Sequence, residues 1–218
     1  MHFLDAWKNL APRDLLRLAF PVVILTVSLF LPGRRVARAA ALLLGLSVLT
    51  LRELGPLTPL RLAWAALWGI VAWRVGGSRA RREGPVLDHP GGIESGLVGL
   101  MLGLALLTLL IAAIARQDLS AGDSRSVSYG LLILCLGLLH LMLRRDARRA
   151  MVSFATLGLG LQVLDCAARA ASLTAESVDR GTIVAVAAIT IAIAARLAVI
   201  REHDAGSAWV SDAHDLHD

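Results

Sequence analysis

Ionisable groups set among long apolar runs are expensive and therefore candidates for chemistry. His140 closes one such run, one helical turn before Arg144. A histidine titrates near neutral pH, so His140 could relay protons, or it could stand as an ordinary interfacial histidine. Asp165 and Arg169 are four residues apart, which puts them on one helix face, and Gln162 precedes Asp165 by one turn. A paired acid and base there could seat a half-channel, with His140, Asp165 and Gln162 as proton-path candidates. It could equally be a structural ion pair near the lipid headgroups.

Other chemistry finds little footing. His203, His214 and His217 lie among aspartates in the C-terminal stretch without a recognised ligand spacing, so no metal site is expected. Cys135 and Cys166 read as small apolar packing residues. There is no phosphate-binding glycine loop, no dinucleotide fingerprint, no HExxH and no serine elbow. The expectation is no catalytic residue, no cofactor and no self-sufficient active site.

The elements that must position these groups follow from composition. The 218 residues are 56% hydrophobic and 18% charged, with a mean hydropathy of +0.67. Soluble domains carry about 25% charged residues. The expected fold class is all-α, a polytopic integral membrane protein, because lipid leaves no partner for a bare backbone. The runs are continuous rather than alternating, which excludes a transmembrane barrel.

Seven runs approach the roughly 20 residues that a spanning helix needs. They are Leu15–Leu31, Val36–Leu51, Leu57–Val75, Gly96–Ala115, Val127–Leu143, Ala150–Ala168 and Gly181–Ile200. The N-terminal stretch carries Asp5 and Asp14 where a signal peptide would be basic, so the first run is expected to remain a helix. The polar, Gly- and Pro-rich connection after Arg74 divides the chain. Residues 1–80 form a three-helix segment, 81–95 a loop, 96–202 a four-helix segment and 203–218 a polar tail. Gly99 and Gly103 make a GxxxG pair on the fourth run, and Ala188 and Ala192 a similar small face on the last.

Arginine bias sets the expected orientation. The loops after the first, third and fifth runs, with the C-terminus, hold 13 arginines, against 9 lysines and arginines on the other side. This places the N-terminus outside and the C-terminus in the cytoplasm. Arg144, Arg145, Asp146, Arg148 and Arg149 then form a cytoplasmic turn between the fifth and sixth spans. Arg196, a turn before the end of the last run, is read as snorkelling. The formal net charge of +5 is explained by these helix ends, so no nucleic-acid partner is expected.

Residues Gly137–Met151, "GLLHLMLRRDARRAM", and Ile191–Asp204, "IAIAARLAVIREHD", with the span count and the long third loop, resemble the hydrogenase-4 component E family. The last three spans resemble subunit K of complex I and the C subunit of Mrp-type antiporters. The resemblance implies a membrane subunit of a redox-driven, ion-translocating assembly in a bacterial or archaeal cytoplasmic membrane. Antiporter-like membrane subunits and lipid are the implied partners. Arg145 falls on the family's arginine, and Asp146 replaces its asparagine. The family's buried glutamate on the sixth span falls at Gly158, and a second acid on the last span at Ile183. Both acids are missing, so the resemblance implies a mainly structural or coupling subunit without the usual proton path. Gly158 is expected to leave space for a neighbour or water. The competing reading is an autonomous transporter of a small solute or ion, which needs a polar cavity near the midplane. An intramembrane enzyme would need clustered His, Asp, Glu or Cys, which the sequence lacks.

Overall fold

The computed structural model describes residues 11–31, 34–55, 58–76, 120–143, 147–171 and 179–204, with Met101, Ala105, Thr108 and Ala112, which are helical. Among them there are six long helices and no strand. They are α1 (Pro12–Phe30), α2 (Arg34–Thr50), α3 (Thr58–Gly76), α4 (Ala121–Leu143), α5 (Ala147–Ala170) and α6 (Arg180–Asp204). A short 3₁₀ turn, Arg52–Leu54, separates α2 from α3. Six of the seven expected spans fall on these helices. The fourth, with Gly99 and Gly103, lies outside the described residues apart from four helical positions, as do the loop 81–95 and residues 205–218.

Local chemistry sets the helix ends. Pro12 sits in the first turn of α1, where its missing N–H costs nothing. Ser120 caps α4: its hydroxyl accepts from the Asp123 N–H at 3.2 Å and donates to the Asp123 carboxylate. Asp179 caps α6 by accepting from the Gly181 N–H at 3.4 Å. Gly55 turns the chain from the 3₁₀ segment toward α3 at φ 75°, a left-handed conformation that costs glycine little. Arg61 donates back to the Gly55 carbonyl and secures that turn.

The two helices flanking the arginine turn are longer than expected. α5 begins at Ala147 rather than Ala150, so Arg148 and Arg149 belong to its first turn. They are not part of a solvated turn: both are buried, and acceptors on neighbouring helices lie within reach of both. Arg144, Arg145 and Asp146 lie outside the described residues. α6 likewise runs on to Asp204, so His203 and Asp204 are helical rather than part of the expected polar tail.

α1, α3, α4 and α6 end, and α2 and α5 begin, at one end of the bundle. Hydrogen bonds from Arg149 to the Leu31 carbonyl and from Arg148 to the Arg74 carbonyl and to Glu202 bring these ends together. Gly76 therefore stands at the arginine end, and Ser120 at the opposite one. α5 is the central helix, packed against α4, α6 and α3. Its contact with α4 is close because a Cβ at Gly160 would stand 2.7 Å from the Leu134 backbone, and one at Gly137 2.9 Å from Leu157. One continuous apolar core joins Leu25, Leu44, Trp64 and Trp68 of the first three helices to Tyr129, Leu159 and Ile191 of the last three.

Among the described residues, three helices are long and apolar enough to cross a membrane: Gly122–Leu143, Ala147–Ala170 and Gly181–His203. α6 exposes Val186, Ile189, Ile193, Leu197 and Ile200 along its outer face. Such a face demands lipid or a partner rather than water. The inward line on α6 is Ala187, Ile191, Ala194 and Ala198, whereas Ala192, expected on a packing face, is exposed. Ala188 is partly buried and packs against the core, whereas Ala192 is one residue off the buried stripe, and a one-residue step turns a side chain about a quarter of the way round a helix.

Candidate functional site

The densest polar structure in the bundle gathers at the arginine end. Arg148 is buried, only 6% exposed. Its Nε and one Nη donate to the two carboxylate oxygens of Glu202, and its other Nη donates to the Arg74 carbonyl at 3.2 Å. Arg34 adds a third contact to Glu202 at 3.3 Å. One guanidinium thus ties α5 to α6 and α3, and one carboxylate ties α6 to α5 and α2. The planar fork of arginine matches a carboxylate through two parallel bonds, a geometry that lysine cannot reproduce. Arg149, equally buried, donates to the Leu31 carbonyl at 3.4 Å and so holds the end of α1.

This arrangement is an electrostatic clasp that closes the bundle at one end. Arg148 and Arg149 were legible as charges but not as buried partners. Glu202 and Arg34 were not singled out at all. The available signal was the scarcity of carboxylates at this end. Among the described residues, Arg34, Arg35, Arg38, Arg74, Arg148, Arg149, Arg196 and Arg201 face only Glu202 and Asp204. A lone acid in such a setting is drawn to the most buried arginine.

At the opposite end, Arg169 Nε stands 3.0 and 2.9 Å from the two carboxylate oxygens of Asp165, both side chains mostly buried. The sequence spacing therefore makes the contact it allows, within one helix. Nearby, Asp14, Arg17, Thr50, Arg52, Glu53, Arg125 and Ser126 line a cavity of about 200 Å³. This cavity is at the rim, not at the midplane.

Away from these two clusters the interior is sparsely polar, and His140 sits in the last turn of α4 at the arginine end. His140 is buried, and one ring nitrogen lies 3.1 Å from the Leu136 carbonyl of its own helix. It is therefore not an exposed interfacial histidine. Gln162 is fully buried, with its amide nitrogen 3.9 Å from Cys166 Sγ and its Oε1 without a hydrogen-bond partner. The hydroxyls of Ser153 and Thr156 donate to carbonyls one turn back, at 3.3 and 2.7 Å. His140, Gln162 and Asp165 are not brought together into a hydrogen-bonded chain by any of these contacts.

Gly158 marks the junction of α5 with α3 and α6. A Cβ added there would meet both the Trp64 ring and the Ala187 methyl at 2.8 Å. The space left by the absent side chain is filled by the Trp64 indole. Ile183, the other position where an acid was anticipated, is half-buried and packs against the core. No group of three or more His, Cys, Asp or Glu residues that could hold a metal ion occurs among the described residues. Cys135 and Cys166 are not joined in a disulfide.

Fold and site together define a helical membrane protein whose central helix is clasped at one end by a buried arginine–carboxylate pair. No family model, no curated protein and no solved structure matches the chain.

Proposed function

We propose that this chain is a membrane-arm subunit of a complex-I-like or hydrogenase-4-type ion-translocating assembly, and that it serves structure and coupling rather than conduction. The observation that carries the non-conducting part is the junction at Gly158. Where the resemblance anticipates a buried glutamate, an indole and a methyl group close the space. A proton path along buried acids needs carboxylates near the midplane. Among the described helices the carboxylates of Asp14, Asp123, Asp165 and Glu202 all stand within two turns of a helix end. The apolar faces of α1, with Leu16, Phe20, Val23, Val27 and Phe30 exposed, and of α6 supply surface for neighbouring membrane subunits. The membrane is then a bacterial or archaeal cytoplasmic one, with the arginine end on the cytoplasmic side.

The test is a mild-detergent pull-down of the tagged chain from native membranes, with the co-purifying proteins identified by mass. Antiporter-like membrane subunits in fixed stoichiometry are expected. A stable chain recovered alone would overturn the reading. The second reading, an autonomous transporter of a small solute or ion, needs a polar cavity near the midplane, whereas the cavity lined by Arg17, Arg52, Glu53 and Arg125 lies at the rim. That reading expects the isolated protein to gain thermal stability from its solute, which a pure subunit would not.

A further inference from the structure

A crevice of about 200 Å³ opens on the side of the bundle at the arginine end, between α3 and α6. Its floor is Met151, Ala195 and Ala198, all buried, and its walls are Trp73 and Val199, which are 64% and 54% exposed. Small alanines on α6 keep the floor recessed, and the walls face outward, where α6 is apolar. Arg148 lies at the head of the crevice, but its charge is matched by Glu202. Arg74 is different. Its side chain is exposed, its guanidinium lies 5.5 Å from the centroid of the Trp73 ring, and no carboxylate pairs with it among the described residues.

The crevice therefore has an apolar slot with an uncompensated cation at its polar end. The surrounding charge reinforces this, because eight described arginines face two described carboxylates at this end of the bundle. A lipid phosphate and an acyl chain match those two parts in the order the membrane presents them: headgroup at the interface, chain toward the midplane. Basic pockets between helices are suited to anionic headgroups, and an indole at the interface is the usual neighbour.

We infer that the crevice between Trp73 and Val199 is a binding site for one anionic phospholipid, its phosphate on Arg74 and one acyl chain along Met151, Ala195 and Ala198. The site is independent of the assembly proposed above. It would hold equally for a chain that acts alone. Its consequence is mechanical, since a bound lipid would bridge α3 and α6 beside the clasp that already joins them through α5.

The experiment is native mass spectrometry of the full chain in mild detergent, titrated with phosphatidylglycerol and, separately, with phosphatidylcholine of the same chains. One saturable phosphatidylglycerol adduct is expected, with markedly weaker binding of phosphatidylcholine. Arg74→Gln should weaken the phosphatidylglycerol adduct about fivefold, the effect of one arginine at a membrane surface. Val199→Phe, an exposed position that tolerates bulk, should weaken it by narrowing the slot while leaving the melting temperature unchanged. Equal binding of the two lipids would overturn the inference. So would an adduct indifferent to both substitutions, displacement of the lipid by inorganic phosphate alone, or the absence of any adduct.

Discussion

Glu202, near the end of α6, receives two hydrogen bonds from Arg148 in the first turn of α5, and these residues are 54 positions apart in sequence. The pair is worth most when intact. Removing Arg148 leaves Glu202 with the longer contact to Arg34, and removing Glu202 leaves Arg148 charged and largely desolvated against the Arg74 carbonyl; breaking a buried pair in this way costs up to about 3–5 kcal/mol. Glu202→Gln and Arg148→Ala should therefore each lower the detergent melting temperature by many degrees. The double change R148M/E202M, which removes both charges and keeps volume, should recover most of that loss. Thermal unfolding of the purified chain followed by tryptophan fluorescence checks this. Additive losses in the double variant would show that the two residues act separately.

Gly158→Ala tests the junction of α5 with Trp64 and Ala187. One methyl group is enough, because its position lies 2.8 Å from both neighbours and neither is the loose end of a flexible chain. Overpacking of this kind costs about 1–3 kcal/mol. Combining it with Trp64→Phe should restore part of the loss by shortening the ring that it meets. If Gly158→Ala melts as the parent does, the indole is not held where the geometry puts it, and room exists for water or an acid.

The helices were legible because period and length are properties of the apolar runs themselves. The ends were less so. The first turn of α5 carries two arginines, which read as solvated in sequence, yet both find acceptors from α1, α3 and α6. Such partners lie 54 to 118 positions away, and no local pattern announces them. Asp165 and Arg169 were legible for the opposite reason: a spacing of four within one helix fixes its own contact. Gly158 was marked as a vacancy, but only packing could say that Trp64 occupies it.

Asp165→Asn separates structure from transport. The Asp165–Arg169 pair lies within one helix, with side chains about 17% and 16% exposed, and it stays at the end of α5 away from Gly158. Its loss should cost on the order of 1 kcal/mol, above the few tenths of a fully exposed pair of this spacing. Proton uptake by membrane vesicles carrying the variant should fall no further than the amount of assembled complex does. Abolished uptake with assembly intact would assign Asp165 to a conducting path and would sink the structural reading of this end.

Gln162 offers the reverse signature. It is fully buried, its Oε1 has no hydrogen-bond partner, and its only polar contact is a long one to a thiol. An unsatisfied amide oxygen is a burden of about 1–3 kcal/mol to the folded state. Gln162→Met removes that burden with little change in volume, so the variant should melt at the same temperature as the parent or higher. If the amide serves only packing, vesicle proton uptake and pull-down stoichiometry should both be unchanged. A more stable variant that assembles but loses uptake would instead identify Gln162 as a group retained for function at the expense of stability. That outcome would place a hydrated path beside α5 despite the absence of acids.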